Sequence, residues 1–463
     1  MPTISDLLSV GRLSLGAQQQ ALHVTGNNIA NANTEGYTRQ RVNIESATPY
    51  ESPIGFVGTG ARATDIQRIR DDFIGARINE SNQEFGRWEA QKESMERIEI
   101  LFNEANGVGL NSAMSGFWDA WQDLANNPSG TNERVIVTSQ SELLATTLRT
   151  KRTELETVQS NLNASIVSTV SEINALAAQL DDLNQQITAM EQTGYAANDL
   201  RDRREQSLKD LSELIDFTSI EEPGGQVRVT LGDGNVLVGT PGNPAFGQLA
   251  TAVNAGTGFD DIVWDTAPGV PVNGSIAAGK LKGWLETRDS IAAGYISQLD
   301  ALAADLITTV NARHASGFNL SGNTGVAFFT GSDAADIAVS PVVAADPAAV
   351  AAASDLAGVP GGNGNALAIA GIRSALTMNG GTASYDDYYN AMISNIGIKT
   401  AEAQFNHDFN QDALQQFENF RDSISGVSLD EEMINMVKFQ QTYQASAKII
   451  TTVDEMLTTL LNM

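Results

Sequence analysis

The chain has 463 residues, with 28 Lys and Arg against 56 Asp and Glu and a formal net charge of −28, so nucleic acid and anionic membrane surfaces repel it. Its 42% hydrophobic and 18% charged residues exclude global disorder and suffice for about two to four buried cores. It contains no Cys, which excludes disulfides, thiolate nucleophiles and thiolate-ligated metal centres.

The opening, MPTISDLLSVGRLSLGAQQQ, has neither the basic n-region nor the long apolar run of a Sec signal. Nowhere do about 18 apolar residues run together, as a membrane span requires. The expectation is no membrane insertion, and a chain that is soluble or exported by another route.

Ile4, Leu8, Gly11, Leu15, Gln18, Leu22, Thr25 and Ile29 alternate at four-residue and three-residue steps, the spacing of a heptad seam. Gly11, Gly16 and Gly26 each weaken this helix by about 1 kcal/mol relative to Ala, and Gln18 and Thr25 place polar groups on the seam. Such a helix needs a partner. Behind it comes Gly26-Asn27-Asn28-Ile29-Ala30-Asn31-Ala32-Asn33-Thr34-Glu35-Gly36-Tyr37-Thr38-Arg39. Asn side chains bond neighbouring backbone groups and Gly36 permits a sharp turn, so this segment is expected to end the helix and fix the chain's exit.

Helices are predicted from Asp65 to Glu104 and from Leu110 to Ala125. Asn126-Asn127-Pro128-Ser129-Gly130 then breaks the chain. Thr131 to Thr193 contains neither Gly nor Pro, and Leu144, Leu148, Leu155, Val158, Leu162, Ile166, Ile173, Leu180, Ile187 and Met190 recur at helical spacing. One very long helix, or two, is predicted, in an elongated molecule. A further helix runs from Asp199 to Leu214.

From Phe217 to Lys282 the pattern becomes short alternating runs, such as Val227-Arg228-Val229-Thr230-Leu231, divided by Gly224-Gly225 and Gly232-Asp233-Gly234-Asn235. These predict hairpins in a small β domain. Helical periodicity resumes from Leu285 to Arg313. Ser316 to Ser384 reads as loops with a few strands, and Lys399 to Ser425 as helix.

A second seam closes the chain: Leu429, Met433, Met436, Gln440, Tyr443, Ala447, Ile450, Asp454, Leu457 and Leu461. Ser428 and Glu431 are placed to form a capping box, with Asp430 and Glu432 favouring the helix N-terminus. The fold class expected is mainly α with a β insertion. Its parts are a terminal coiled coil (1–35 with 428–463), an elongated antiparallel bundle (60–215 with 284–315 and 385–427) and a small inserted β domain (216–283). The membership of 316–384 is open.

Catalytic chemistry finds no foothold. His23, His314 and His407 are far apart in sequence, without metal-ligand spacing. Asp408, Asn410 and Asp412 open like a calcium loop, but Ala413 and Asn419 occupy two positions that such a loop needs for Gly and Glu. No phosphate loop, dinucleotide fingerprint or nucleophile elbow occurs. The expectation is no enzyme, no metal and no cofactor.

The Asn-rich segment, with Asn27, Asn28, Asn31, Asn33, Gly36 and Tyr37, resembles the N-terminal signature of flagellar rod, hook and hook-associated proteins. Ser425-Gly426-Val427-Ser428-Leu429-Asp430-Glu431-Glu432 and Phe439 to Ile450 resemble the C-terminal one. Within that class, the helical middle and Asn198-Asp199-Leu200-Arg201-Asp202-Arg203-Arg204-Glu205-Gln206-Ser207-Leu208 resemble the hook-associated protein 1 family.

That resemblance implies a structural subunit of the bacterial flagellum at the hook-filament junction. It also implies type III export and a dedicated export chaperone. The implied partners are further copies of the chain, the hook protein and the second junction protein. The expected assembly interface is Ile4, Leu8, Leu15, Leu22 and Ile29 with Leu429, Met433, Met436, Tyr443, Ile450, Leu457 and Leu461. Two rival readings are a secreted binding module, using loops at Gly224-Gly225 and Gly242-Asn243-Pro244, and another axial flagellar protein such as the second junction protein.

Overall fold

A computed structural model describes residues 4–52, 55–104 and 109–462. The chain is 64% helical with small antiparallel sheets. Helix α1 (Ile4–Ala30) leads to β1 (Gln40–Ser46), which pairs antiparallel with β4 (Ala61–Arg68); β2 (Tyr50–Ser52) and β3 (Gly55–Val57) form a hairpin between them. The β1/β4 ribbon packs on α1.

Helix α2 (Asp72–Leu101) starts seven residues later than the predicted Asp65, because Asp65 pairs with Asn43 and Arg68 with Gln40 in the ribbon. The local start signal is Asp71, whose carboxylate accepts from the backbone N–H groups of Phe73 and Ile74, two of the donors a helix start leaves unpaired. Helix α3 (Leu110–Asn126) follows. Helix α4 (Thr131–Glu191) is one uninterrupted element of 61 residues, about 90 Å at 1.5 Å per residue.

Helix α5 (Asn198–Leu214) leads into two three-stranded antiparallel sheets. The first is β5 (Phe217–Glu221), β6 (Val227–Leu231) and β7 (Val236–Val238). The second is β8 (Leu249–Val253), β9 (Asp260–Trp264) and β10 (Ala267–Pro271). Helix then resumes at α6 (Gly279–Glu286), earlier than the expected Leu285, and runs through a π-helical turn at Thr287–Ala292 into α7 (Ala293–Ser316). It begins at a glycine without a side-chain cap, so the sequence carries no start signal there.

Between 316 and 384 lie β11 (Phe329–Thr330), β12 (Ala338–Val339), α8 (Pro341–Ala345) and α9 (Gly364–Ala370). Helix α10 (Tyr385–Ser425) starts well before the predicted Lys399, where Ser384 and Asp387 form a reciprocal capping box. Helix α11 (Leu429–Leu461) ends the chain. Its expected capping box is only half formed: Ser428 Oγ accepts from the Glu431 N–H, but the Glu431 carboxylate turns to Arg39.

Two large cores divide the length of α4. Leu144, Leu148, Leu155 and Leu162 pack with α3, α7, the start of α10 and the 328–378 segment, around Phe117, Trp121, Phe328 and Phe329. Farther along, Ile166, Val170, Ile173 and Leu180 pack with α5, α6 and the β sheets around Trp264. A small third cluster of Ile74, Ile78 and Leu414 joins α2 to α10. Long helices thus carry two cores in series and hold the terminal pair α1/α11 apart from both.

Candidate assembly site

Helices α1 and α11 pack antiparallel. Asn28 reaches Glu432, Ser14 Oγ lies 2.9 Å from Ser446 Oγ, and a Cβ at Gly11 would meet Ile450 Cγ1 at 2.9 Å. On α1 the buried residues are Gly11, Ala17, Gln18, Ala21, Val24, Thr25 and Asn28. On α11 they are Glu432, Ser446 and Val453. Small and polar side chains therefore fill this seam, and the backbones approach closely because of it.

The expected seam shares one row with this packing, Gly11, Gln18 and Thr25. The leucine row lies along its edge: Ile4, Leu15, Leu22 and Ile29 are half-buried and Leu8 is exposed. On α11, Met436, Tyr443 and Ile450 are half-buried on the α1 side, whereas Leu429, Met433 and Leu457 are exposed and Leu461 is 86% exposed. The second row on α11 is offset by one residue, Glu432, Ser446 and Val453 in place of Met433, Ala447 and Asp454. Leu7, Ile434, Val437, Ile449, Met456 and Leu460 add to the exposed apolar surface of the pair.

The Asn-rich segment locks the base of the pair. Asn28 Nδ2 donates to the Gln40 carbonyl (2.8 Å) and Glu432 Oε2 (3.1 Å), while its Oδ1 accepts from Tyr37 Oη (2.8 Å) and the Gln40 N–H (3.0 Å). Both donors and both lone pairs of one buried amide are satisfied. Asn31 Nδ2 donates to the Asn27 carbonyl (3.0 Å) and Oδ1 (2.8 Å), and Asn33 is exposed in the turn. Gly36 takes φ +76°, a left-handed conformation that side chains disfavour. Burial and then the nearby Asp199, Asp202 and Glu432 raise the Tyr37 pKa, keeping its phenol a donor.

Arg39 joins three elements. Its N–H donates to the Ser425 carbonyl (2.9 Å) at the end of α10, and its guanidinium contacts Glu432 at 2.8 Å and Glu431 at 2.7 Å in the first turn of α11. Glu432 is fully buried, so this carboxylate depends on Arg39 and Asn28.

Helix α5 carries the link onward from both its faces. Towards the ribbon, Asp202 accepts from the Thr38 N–H (3.1 Å) and pairs with Arg68 (2.7 Å), Asp199 accepts from Gln40 Nε2 (2.9 Å), and Glu205 holds Arg68 (2.7 Å) and Arg70 (2.5 Å). Towards the body, Arg201 pairs with Glu191 (2.6 Å) and Glu221 (2.7 Å), and the buried Arg204 donates to Asn184 Oδ1 (3.2 Å) and the Gly225 carbonyl. The two most distinctive stretches of the sequence therefore touch. A cleft of about 670 Å³ lies beside them, lined by Arg68, Arg70, Glu205, Arg421 and Gly426 among others.

Sequence reasoning placed the Asn-rich turn but assigned Glu432 only to the helix dipole. The available signal was Arg39, a lone cation closing that segment opposite an acidic first turn. His23 is exposed on α1, His314 is buried, and His407 stacks on Phe85 with its Nδ1 2.9 Å from Asp408. Among the described residues no group of three or more His, Cys, Asp or Glu could hold a metal, and no helix is long and apolar enough to cross a membrane.

The chain is similar to flagellar proteins along most of its length. Residues 95–329 match the flagellar hook-associated protein FlgK helical domain, 8–38 the flagella basal body rod protein, and 421–463 the flagellar basal body rod FlgEFG protein C-terminal region. Flagellar hook-associated protein 1 of Bacillus subtilis is 33% identical over 98% of this chain and 97% of its own length. That of Escherichia coli is 25% identical over 99% and 100%. The flagellar hook junction protein FlgK from Burkholderia pseudomallei shares the fold, with a TM-score of 0.67 at 16% identity, covering 76% of this chain and all of that one. The chain belongs to the flagellar hook-associated protein 1 (FlgK) family, whose members are structural and not enzymes.

Proposed function

We propose that the chain is a structural subunit of the hook-filament junction, held there by contacts between the outer faces of its α1/α11 pair and neighbouring copies. The observation that carries this reading is the inverted composition of the pair. Small and polar residues fill its inner seam, while Leu7, Leu8, Met433, Met456, Leu457, Leu460 and Leu461 are left exposed. An exposed apolar surface of this kind marks an interaction site. A joint between two different tubes needs heterologous contacts that propagate around an axis rather than close as a dimer.

The terminal pair (1–35 with 428–463) acts as the assembly domain. The bundle (60–215 with 284–315 and 385–427) and the β domain (216–283) form the outer body, and 316–384 shares the bundle core through Phe328, Phe329 and Ile369. The hook protein and the second junction protein are the neighbours on the two faces, and an export chaperone holds the C-terminal segment before type III export. The family match favours the junction subunit over the rival binding module. Electron microscopy of a strain lacking the chain tests the proposal: bare hooks are expected, and normal filaments would overturn it.

A further inference from the structure

Asn-Gly pairs occur at Asn106-Gly107, Asn273-Gly274, Asn363-Gly364 and Asn379-Gly380, the first of them outside the described residues. Asn is a thermolabile residue, and most so before Gly, because no Cβ then hinders the next backbone nitrogen from reaching the side-chain amide. In a folded chain the reaction depends on what holds the Asn.

Two of the described pairs are held. Asn273 Oδ1 accepts from the Ile262 N–H at 2.7 Å and its Nδ2 donates to Asp261 at 2.9 Å, so both ends of the amide are tied to β9. Asn363 Nδ2 donates to the Ala125 carbonyl in α3 at 2.9 Å, and its own carbonyl accepts from the Leu367 N–H of α9. Both Asn residues are half-buried.

The pair at 379 is free. Asn379 and Gly380 are exposed in the turn between Met378 and Ala383, whose backbones pair in both directions at 3.1 and 3.2 Å. The Asn379 carbonyl accepts from Thr382 Oγ1 at 3.0 Å, but neither the Asn379 side chain nor the Gly380 N–H has a hydrogen-bond partner among the described residues. Asn379 has φ +51° and is the only residue other than glycine with a positive φ among the described residues, a conformation that side chains disfavour. Both reacting groups are therefore unheld and in solvent, in a turn that relaxes by leaving its present conformation.

We propose that Asn379 is a site of deamidation through attack by Gly380. The Gly380 nitrogen gives its proton to water and bonds to Asn379 Cγ, closing a cyclic succinimide. The Cγ–Nδ2 bond breaks and Nδ2 leaves as ammonia, taking up a proton from water. Water, the only co-reactant, then opens the ring at either carbonyl to give Asp or isoaspartate. Each product adds a negative charge. Isoaspartate also routes the main chain through Cβ, lengthening it between Met378 and Ala383 and taking their paired hydrogen bonds out of register. Because Met378 is buried in the larger core and Ser384 caps α10, the change loosens the start of that helix.

The test ages purified chain at neutral pH, folded and in guanidinium chloride. Peptides containing Asn273, Asn363 and Asn379 are quantified by mass for amide-to-acid conversion, and isoaspartate is read by methyl transfer from an isoaspartyl methyltransferase. In guanidinium the three pairs should convert at similar rates. In folded chain Asn379 should convert at least about tenfold faster than Asn273, the scale set by two net hydrogen bonds. Aged folded chain should also exchange amides faster in the first turn of α10. An Asn379→Gly chain, which keeps the positive φ and has no amide to lose, should show no such change with age. Equal rates at Asn379 and Asn273 in folded chain, or loosening of α10 that is the same in aged Asn379→Gly, would overturn the proposal.

Discussion

Asn28 shows how much of the terminal architecture rests on one amide. Asn28→Asp would remove both donors and set a second carboxylate against the buried Glu432. A loss of about 2–4 kcal/mol in the docking of α1 on α11 is expected. It would be read as faster amide exchange in both helices with unchanged protection in α4; equal loss of protection in α4 would contradict the account. The Asn cluster was legible as a turn because Asn chemistry is local. Its link to Glu432 was not, because the two lie about four hundred positions apart and no local rule pairs them.

His314 makes a second prediction at this scale. Its ring is buried, with Nδ1 at 2.5 Å from the Val326 carbonyl and Nε2 accepting from the Ala351 N–H at 2.9 Å. Burial pushes its pKa from 6.5 down to about 4; the Val326 contact opposes this and Arg134 reinforces it. The unfolded chain therefore binds the extra proton between these values. The contribution is fully present above about pH 6.5 and is lost as pH falls towards 4, a change on the order of 3 kcal/mol. Urea midpoints at pH 7 and pH 4.5 should converge in His314→Gln, and an unchanged difference would contradict the assignment.

Among the elements, the α1/α11 seam gives the sharpest test. Gly11 and Gly16 sit in the same helix, and Ala in place of Gly ordinarily adds about 1 kcal/mol. At Gly16 nothing lies within 4 Å of an added Cβ, whereas at Gly11 it would meet Ile450. Gly16→Ala should therefore slow exchange in α1 and Gly11→Ala should hasten it; the same sign at both positions would contradict the packing. This seam also shows where sequence reading stopped. A search for large apolar residues found Leu8, Met433 and Leu461, which face outward or lie at the edge, because close helix pairing selects small residues such as Gly11, Ser14 and Ser446. Helix α4 was legible from end to end because nothing in it breaks a helix. The start of α10 was missed because Tyr385 to Gly397 carries poor helix formers, and the Ser384–Asp387 box outweighs them.

At the scale of the whole molecule, stability is distributed unevenly. The cores along α4 bury aromatic and aliphatic residues continuously, while the terminal pair rests on a narrow seam and a polar lock. Local opening should follow that order. Hydrogen exchange on dilute chain should be faster in α1 and α11 than from Thr131 to Glu191, with the ends gaining further protection on assembly. Strong protection of both ends in free chain, unchanged on assembly, would contradict this.

The central claim is that the exposed apolar rim of the terminal pair exists for neighbouring copies. Leu461 tests it most directly, because at 86% exposure it contributes almost nothing to the fold of a single chain. In a strain whose only copy carries Leu461→Asp, the fraction of hooks bearing filaments should fall close to that of the deletion strain, while the purified variant melts within about 1 °C of the parent. Filaments on a normal fraction of hooks, with Leu461→Asp present in the junction, would contradict the account.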